Sequence, residues 1–420
     1  MARQRQGCAA HFWPSAFPFD WAGMKVLHVI PSLSLKHGGP TSAMECFERA
    51  LSRQGVSIET ATTDDDGPGA HLVKPSGVPV TENDVIRRYF PKVMDFYTVS
   101  TNFAQWIARH VSDYDLVHIH ALFSFTSTAA AFAARRAGVP YIIRPLGSLM
   151  RYGFARRRPL LKRFSIRLIE GRLLRYADAV HVTSSAELEQ SKELGLSMRF
   201  VQIPLAVERA SPGIESQFLE RYPELRGKRI VLFIGRLDPV KNIEALLLAM
   251  SLCAKKVPEA VLVIGGAGPG AYQESLFALA ARLGVADRVT WTGHMDQATK
   301  AAALRSAAIF ALVSLSENFG IAAAEALAAG VPCVLSAGVA IARDVAQAGA
   351  GVEVRPEGSA IAAALARLLI DEATRAEAAR CALEFSEQSY SLERVGRRLS
   401  QLYADILSGA FRRNQSVTSD

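Results

Sequence analysis

Glu317 and Glu325, eight positions apart in the stretch ENFGIAAAEAL, put two carboxylates where a strand gives way to a helix. The run IFALV at 309–313 has the length and residue types of a buried strand, and Gly330 and Pro332 end a helix. Glu317 then lies in the loop at a strand's C-terminal end, and Glu325 stands about two turns along the helix, about 8 to 12 Å away. Two acceptors so separated suit the two ends of a folded sugar nucleotide. Unpaired N–H groups of the first helical turn, near Phe319, Gly320 and Ile321, favour an anion such as a pyrophosphate between them. Matching cations follow the apolar run at 230–234, where GRLDPVKN carries Arg236, able to grip phosphate oxygens, and Lys241, a mobile point charge. A strand at 114–120 sends His118 and His120 to one face. They resemble part of a metal site, but no third ligand stands nearby in sequence and no metal is expected. Taken singly, each group is as well read as a helix cap, a surface charge or a packed histidine; their company gives them weight.

Such residues need strands to carry them to one edge. The run 24–30 is a good first strand, followed by the Gly38-Gly39 turn and a helix around Ala43 to Leu51 that Gly55 closes. A further strand at 141–143 leads into RPLGS at 144–148. The second half repeats the theme: a strand at 260–264 with the glycine run 265–270, a helix stopped by Gly284, and a strand at 289–292 with Gly293. Alternating strands and helices predict α/β architecture with parallel sheets and ligands at the strands' C-terminal ends. The Gly38-Gly39 loop is not G-x-G-x-x-G, so a nicotinamide or flavin dinucleotide is not indicated.

With these segments in place, the chain resembles a glycosyltransferase of family 4, the group 1 glycosyltransferases, over roughly residues 24–407. The specific parts are the E-x7-E element with its FG and EALAAGVP surroundings, and GRLDPVKN. The resemblance implies a GT-B fold, two Rossmann-like α/β domains facing a central cleft, with a C-terminal helix crossing back to the first domain. By position, Glu317 contacts donor-sugar hydroxyls, Glu325 holds the ribose, and Arg236 and Lys241 bind the diphosphate, with Asn318, Phe319 and Gly320 in the same donor site. Gly38 and Gly39 face the donor phosphate and the acceptor across the cleft. His120 lies in the cleft near the donor sugar, His118 supports the sheet edge, Gly147 lines the acceptor side, and the base packs at Gly293. Leu205-Ala206 stands where the family often has Asn-Gly, so that loop's role does not carry over. The implied reaction is retaining sugar transfer from a nucleoside-diphosphate donor, which is a substrate. No cofactor or metal is expected, because cations and helix ends stabilise the leaving diphosphate in such enzymes.

At 420 residues, half of them hydrophobic, the chain can bury two cores. We expect an extension or misplaced start at 1–23, an acceptor-side domain at 24–207, a nucleotide-sugar domain at 208–391 with the seam between 201–204 and 229–230, through 211–213 and 222–223, a helix at 392–410 returning to the first domain, and a polar tail at 411–420. Five cysteines without paired spacing indicate a reducing compartment, and no run of eighteen apolar residues suggests a spanning helix. The Asp64-Asp65-Asp66 run is expected to be a solvated loop. Lys and Arg number 48 against 40 Asp and Glu, and from Arg144 to Arg175 ten cations face the single Glu170. Within that stretch Leu160, Leu161, Phe164, Leu168 and Ile169 recur at helical spacing between Lys162, Arg163, Arg167 and Arg172. A basic amphipathic helix of this kind predicts contact of the 151–175 segment with an anionic membrane surface; its alternative is an ordinary core-facing helix. Nucleic acid is not indicated, since few aromatics interleave with the cations. The expected acceptor is a lipid-linked saccharide or growing polysaccharide at the cytoplasmic face of the plasma membrane. Two alternatives stay open: a GT-B synthase or epimerase acting on a soluble acceptor or sugar nucleotide, and a non-catalytic sugar-nucleotide-binding protein.

Overall fold

The computed structural model of the chain describes residues 23–34, 36, 38–155, 159–209 and 215–411. The expected N-terminal extension up to residue 22, the 211–213 part of the seam and the tail beyond Phe411 lie outside the described residues. The first sheet contains β1 (Lys25–Ser32), β2 (Ser57–Thr63), β3 (Pro79–Glu82), β4 (Val85–Phe90), β5 (Leu116–His120), β6 (Tyr141–Arg144), β7 (Ala179–Val182) and β8 (Phe200–Gln202). Their order is β3-β4-β2-β1-β5-β6-β7-β8, parallel throughout except for the β3–β4 pair. The second sheet contains β9 (Arg229–Ile234), β10 (Ala260–Gly265), β11 (Val289–Gly293), β12 (Ile309–Leu312), β13 (Cys333–Ser336) and β14 (Gly351–Val354). Its order is β11-β10-β9-β12-β13-β14, with every pair parallel. Helices cover both faces, which is why strands such as IFAL and AVLVIG are continuously apolar.

Each sheet reverses its winding direction once, between β1 and β5 in the first and between β9 and β12 in the second. Ligands of open parallel sheets bind in the crevice at such reversals, because neighbouring connections diverge there. The loops at these points carry Gly38 and the residues after His120 in one domain, and Arg236 and Glu317 in the other. His118 therefore does not support a sheet edge. It lies on β5, an interior strand flanked by β1 and β6.

Strand alternation divides the first domain into two layers. Leu27, Val117, Ile119, Ile143 and Val180 face a core with Phe103 and Ile107. Val26, Leu116, Ile142 and Ala179 face Met44 and Phe47 of the Gly39–Ser52 helix and Leu399 and Tyr403 of the Leu392–Leu407 helix. The Gly39–Ser52 helix starts at Gly39 instead of near Ala43, since Gly38 takes φ 64° and Pro40 supplies a ready-made first turn. The Leu392–Leu407 helix returns from the second domain, and its Gly396 touches the first helix so closely that a methyl group there would collide with the Ala50 carbonyl. The two chain crossings between domains run side by side: Val207 donates its N–H to Tyr390 (2.9 Å) and pairs with Ser391. Arg49 and Arg53 both reach Glu208 beside this junction (2.6 and 3.5 Å).

The aspartate loop is ion-paired, in place of the freely solvated run expected. Asp65 accepts from Lys92 (2.6 Å), Asp66 from Lys36 (2.6 Å), and Asp64 contacts His71 (2.9 Å). The basic segment is not one regular helix: a π-helical turn at Ile166–Glu170 separates Pro159–Ser165 from Gly171–Tyr176.

Replacing Gly396 by Ala is expected to lower stability by about 1 to 3 kcal/mol, as overpacking of a close helix contact does. Urea denaturation reads this directly, and an unchanged midpoint would mean that the Leu392–Leu407 helix does not depend on the close approach.

Candidate functional site

Everything in GRLDPVKN apart from Arg236 and Lys241 serves to aim them. Gly235 donates to Gly265 and Leu237 to Ala267 (both 2.9 Å), so the turn after β9 lies flat against the glycine run after β10. Side chains at Gly266 or Gly268 would collide with the Gly235 and Leu237 carbonyls. Gly266 donates in turn to Gly293 (2.7 Å) at the end of β11, so continuous glycine backbone links Gly293 to the turn of Arg236. Asp238 accepts from Val240 N–H (3.0 Å) and caps the Pro239–Lys241 turn. Asn242, left-handed at φ 56°, ties to the carbonyls of Val313 (3.3 Å) and Pro356 (2.9 Å). Lys241 is thereby brought into an ion pair with Glu317. Arg236 remains 65% exposed, 3.5 Å from Asp238, where an incoming anion can reach it.

Glu317 is fixed through its backbone, donating to Gly338 (2.8 Å) and accepting from Ala340 (3.1 Å). Gly320 turns left-handed (φ 90°), so the helix begins at Ile321 and Glu325 sits little more than one turn inside it, nearer the start than the sequence spacing suggested. Glu325 pairs with Lys300 (2.6 Å) from the Gln297–Ser306 helix. Phe319 offers the site only its backbone; its ring is buried edge-on against Tyr390, 5.3 Å between centroids.

The first domain meets this group directly. Gly39 lies against Ile321, where an added Cβ would stand 3.6 Å from the isoleucine Cγ2. The starts of two helices thus face each other across the cleft. Gly147, at φ 71°, is so near Asn318 that a methyl would stand 2.7 Å from its Cβ. With its amide nitrogen facing inward, Asn318 donates to both oxygens of buried Glu187 (3.1 and 3.3 Å). Glu187 also accepts from Gly147 N–H (2.7 Å), Thr183 N–H (2.8 Å) and the Thr183 hydroxyl (2.9 Å). Burial pushes its pKa up, yet every one of these neighbours donates, which favours the carboxylate.

Behind this wall, the face of the first sheet carries four buried histidines, His28, His118, His120 and His181. They form a chain with one direction. His181 Nε2 must donate to the Ile203 carbonyl (2.7 Å), leaving Nδ1 to accept from His118 Nε2 (3.3 Å). His118 Nδ1 then accepts from the Tyr403 hydroxyl (2.8 Å), whose oxygen accepts from His28 Nε2 (3.5 Å). His28 Nδ1 accepts from His120 Nε2 (2.8 Å), and the series ends at His120 Nδ1, a buried lone pair with no partner among the described residues. This assignment requires neutral rings. Burial first, and the Arg144 charge with it, push His28 and His181 down to about 3, and His118 and His120 well below the usual range. His120 is fully buried behind Phe47, 6.2 Å between ring centroids, and is not open to the cleft in this arrangement.

His28, His118 and His120 place nitrogens within 4.8 Å of one another, so β1 supplies the third imidazole that sequence separation concealed. The hydrogen-bonded chain occupies all of these nitrogens except His120 Nδ1, and the neighbouring guanidinium opposes a second cation. Beyond β5, Ala121 (φ 129°) and Phe123 (φ 56°) are held in positive-φ conformations. Buried Glu170 accepts from Phe123 N–H (3.1 Å) and the Tyr97 hydroxyl (2.5 Å) there.

The structure thus gathers Arg236, Lys241, Glu317, Asn318, Gly320 and Glu325 at one sheet edge, links Gly293 to it, and sets Gly38 and Gly39 opposite. Lys300, Glu187, His28, His181 and Tyr403 escaped the sequence reading. Histidines flanked by aliphatics at strand positions 28, 118, 120 and 181 were the one available signal.

Because the four imidazoles have folded pKa values below their unfolded value of about 6.5, their contribution is complete above that pH and is lost as pH falls toward 3. Stability should drop by up to about 5 kcal/mol between pH 7.5 and 5.5. Urea midpoints across that window test this, and a flat profile would overturn the neutral-histidine assignment.

A family profile described as glycosyl transferases group 1 matches residues 216–384, and one described as glycosyl transferase 4-like domain matches residues 38–206. The chain is 31% identical over 279 residues to a phosphatidyl-myo-inositol mannosyltransferase of Mycolicibacterium smegmatis, covering 65% of this chain and 66% of that protein. It is 33% identical over 182 residues to a D-inositol 3-phosphate glycosyltransferase of Corynebacterium efficiens, covering 42% and 43%. These stretches span less than two thirds of either relative. Among solved structures, Anabaena HepE in complex with UDP and glucose superposes with a TM-score of 0.72 at 18% identity, covering 91% of this chain and all of that one. Sucrose-phosphate synthase from Thermosynechococcus elongatus gives 0.70 at 21% identity, covering 92% and 100%. One profile on each domain, and a shared two-domain architecture with the cleft between, establish that the chain belongs to the group 1 glycosyltransferases and has the GT-B fold.

Proposed function

We propose that the protein transfers a sugar from a nucleoside-diphosphate donor to a hydroxyl of a lipid-linked or growing polysaccharide acceptor, with retention at the anomeric carbon and without a metal ion. The observation that carries the reading is the convergence at the cleft of two helix starts, at Gly39 and Ile321, with Lys241 held against Glu317. Helix N-termini and cations concentrate positive potential where a diphosphate would depart. Arg236 and Lys241 would stabilise the charge developing on that leaving group. Glu325, kept in place by Lys300, would accept from ribose hydroxyls, and Glu317 would accept from the donor sugar once the diphosphate draws Lys241 away. The Gly38 and Gly147 loops would bring the acceptor to the sugar. Retention follows the family pattern. The HepE complex with UDP and glucose supports this class of donor.

The membrane part of the proposal rests on surface chemistry. Leu160 and Phe164 are 78% and 62% exposed, and Leu161, Leu168 and Ile169 are exposed beside them, so the apolar side of the basic segment is turned to solvent. Lys162, Arg163, Arg167 and Arg172 flank it. An apolar strip edged with cations suits peripheral binding to an anionic leaflet, such as the inner face of a plasma membrane. A relative named as a phosphatidyl-myo-inositol mannosyltransferase supports the reading. Among the described residues no helix is long and apolar enough to cross a membrane.

One of UDP, GDP and ADP should stabilise the protein, by roughly 2.7 kcal/mol at a hundred times its Kd, and Glu325→Ala should lose the effect. No thermal shift with any of them would overturn the donor assignment. Co-sedimentation should show binding to anionic vesicles but not neutral ones, weakened by salt and abolished by a Leu160→Glu, Phe164→Glu double variant; equal binding to both vesicle types would remove the membrane role.

A further inference from the structure

The first domain buries a full positive charge that nothing neutralises by contact. Arg144, the last residue of β6, is 1% exposed, and its Nε and Nη1 have no hydrogen-bond acceptor among the described residues. Burial pulls the guanidinium down only to about 10, so it stays charged at neutral pH. Its surroundings are the Phe47 ring, 4.8 Å from the guanidinium carbon to the centroid, and the four neutral histidines. Glu187 is the acidic group that acts on it, and that carboxylate is already engaged by Gly147, Thr183 and Asn318. A buried cation without hydrogen-bonded compensation weakens a fold. Aliphatic or aromatic packing would serve the layer better, so the charge points to a use outside folding.

The position of Arg144 indicates that use. It stands at the C-terminal edge of a parallel sheet, in register with His120, and directly precedes the 145–148 loop. Gly147, three residues further along that loop, makes an interdomain contact with Asn318, which separates when the domains part. We propose that Arg144 is an anion-binding residue of the cleft, whose unpartnered N–H groups take a phosphate when the domains open and close again on substrate. The phosphate belongs either to the donor diphosphate or to a phosphorylated acceptor. The proposal rests on the transferase reading above and adds a first-domain cation to the second-domain pair Arg236 and Lys241.

The test is thermal shift on the full chain, comparing wild type with Arg144→Met and Arg144→Lys. Each is titrated with UDP, GDP and ADP, and then with inorganic phosphate at saturating nucleotide. Ligand-free Arg144→Met should melt no lower than wild type, because a neutral side chain replaces an uncompensated charge. Affinity should fall roughly tenfold to a hundredfold for the nucleotide if the donor supplies the phosphate, or for inorganic phosphate over saturating nucleotide if the acceptor does. Both affinities unchanged would overturn the proposal, whatever the melting temperature. Should Arg144→Met fail to fold, Arg144→Lys carries the same two titrations, since it moves and reshapes the donor set while keeping the charge. If wild type responds to no nucleotide, the transferase reading fails instead, and phosphate titration of the ligand-free proteins decides the role of Arg144.

Discussion

The Tyr403 hydroxyl and His118, 285 residues apart in sequence, are joined by the hydrogen bond on which the first domain depends. A parallel sheet covered by helices ordinarily has aliphatic side chains on both faces. Here one face carries four imidazoles, and each buried polar nitrogen left without a partner would cost on the order of 1 to 3 kcal/mol. The imidazoles are tolerable because they are neutral and because their donors and acceptors run in one sense from His120 to the Ile203 carbonyl. Tyr403 is the link in the middle of that sequence. It comes from the Leu392–Leu407 helix, so the polar face of one domain is completed by a segment that follows the other.

The same economy of contacts governs the cleft. Glycines make close approaches across it: Gly39 against Ile321 and Gly147 against Asn318. Bringing backbones together at these points leaves the ionic groups, Lys241 with Glu317 and Lys300 with Glu325, paired within the second domain. Neutral Asn318 makes polar contacts across the cleft with Glu187 and the Ser184 hydroxyl, a junction that can form and break without exposing an unpaired charge from Asn318's side. Separation of roles follows: the second domain holds its ionic site nearly assembled, and the first presents loops that come to it.

How much of this was legible in the sequence depended on the range of the interaction. The strand–turn–helix units around GRLDPVKN and E-x7-E were legible because their geometry is set by residues within a few positions of one another, as in the Asp238 cap and the Asn242 turn. The helix start at Ile321 was misplaced because nothing but the left-handed Gly320 distinguishes it from a start at Phe319. His118 was assigned to an edge because strand order cannot be read from a chain that winds outward twice. Lys300, Glu187 and Tyr403 had no local pattern at all; each acquires its meaning from a partner 25 or more positions distant. The histidine layer lay between these cases, visible as odd residues in apolar strands but not assignable until β1, β5 and β7 were placed in one sheet.

The return of the Leu392–Leu407 helix also sets an order of events at the ribosome. Synthesis delivers the eight strands of the first sheet before any part of the second, yet the hydroxyl that closes the histidine chain and the Gly396 face that covers the Gly39–Ser52 helix arrive only after the whole second sheet has been made. The domain that emerges first is therefore the one that finishes last, and during that interval its polar face lacks part of its cover and part of its hydrogen bonding.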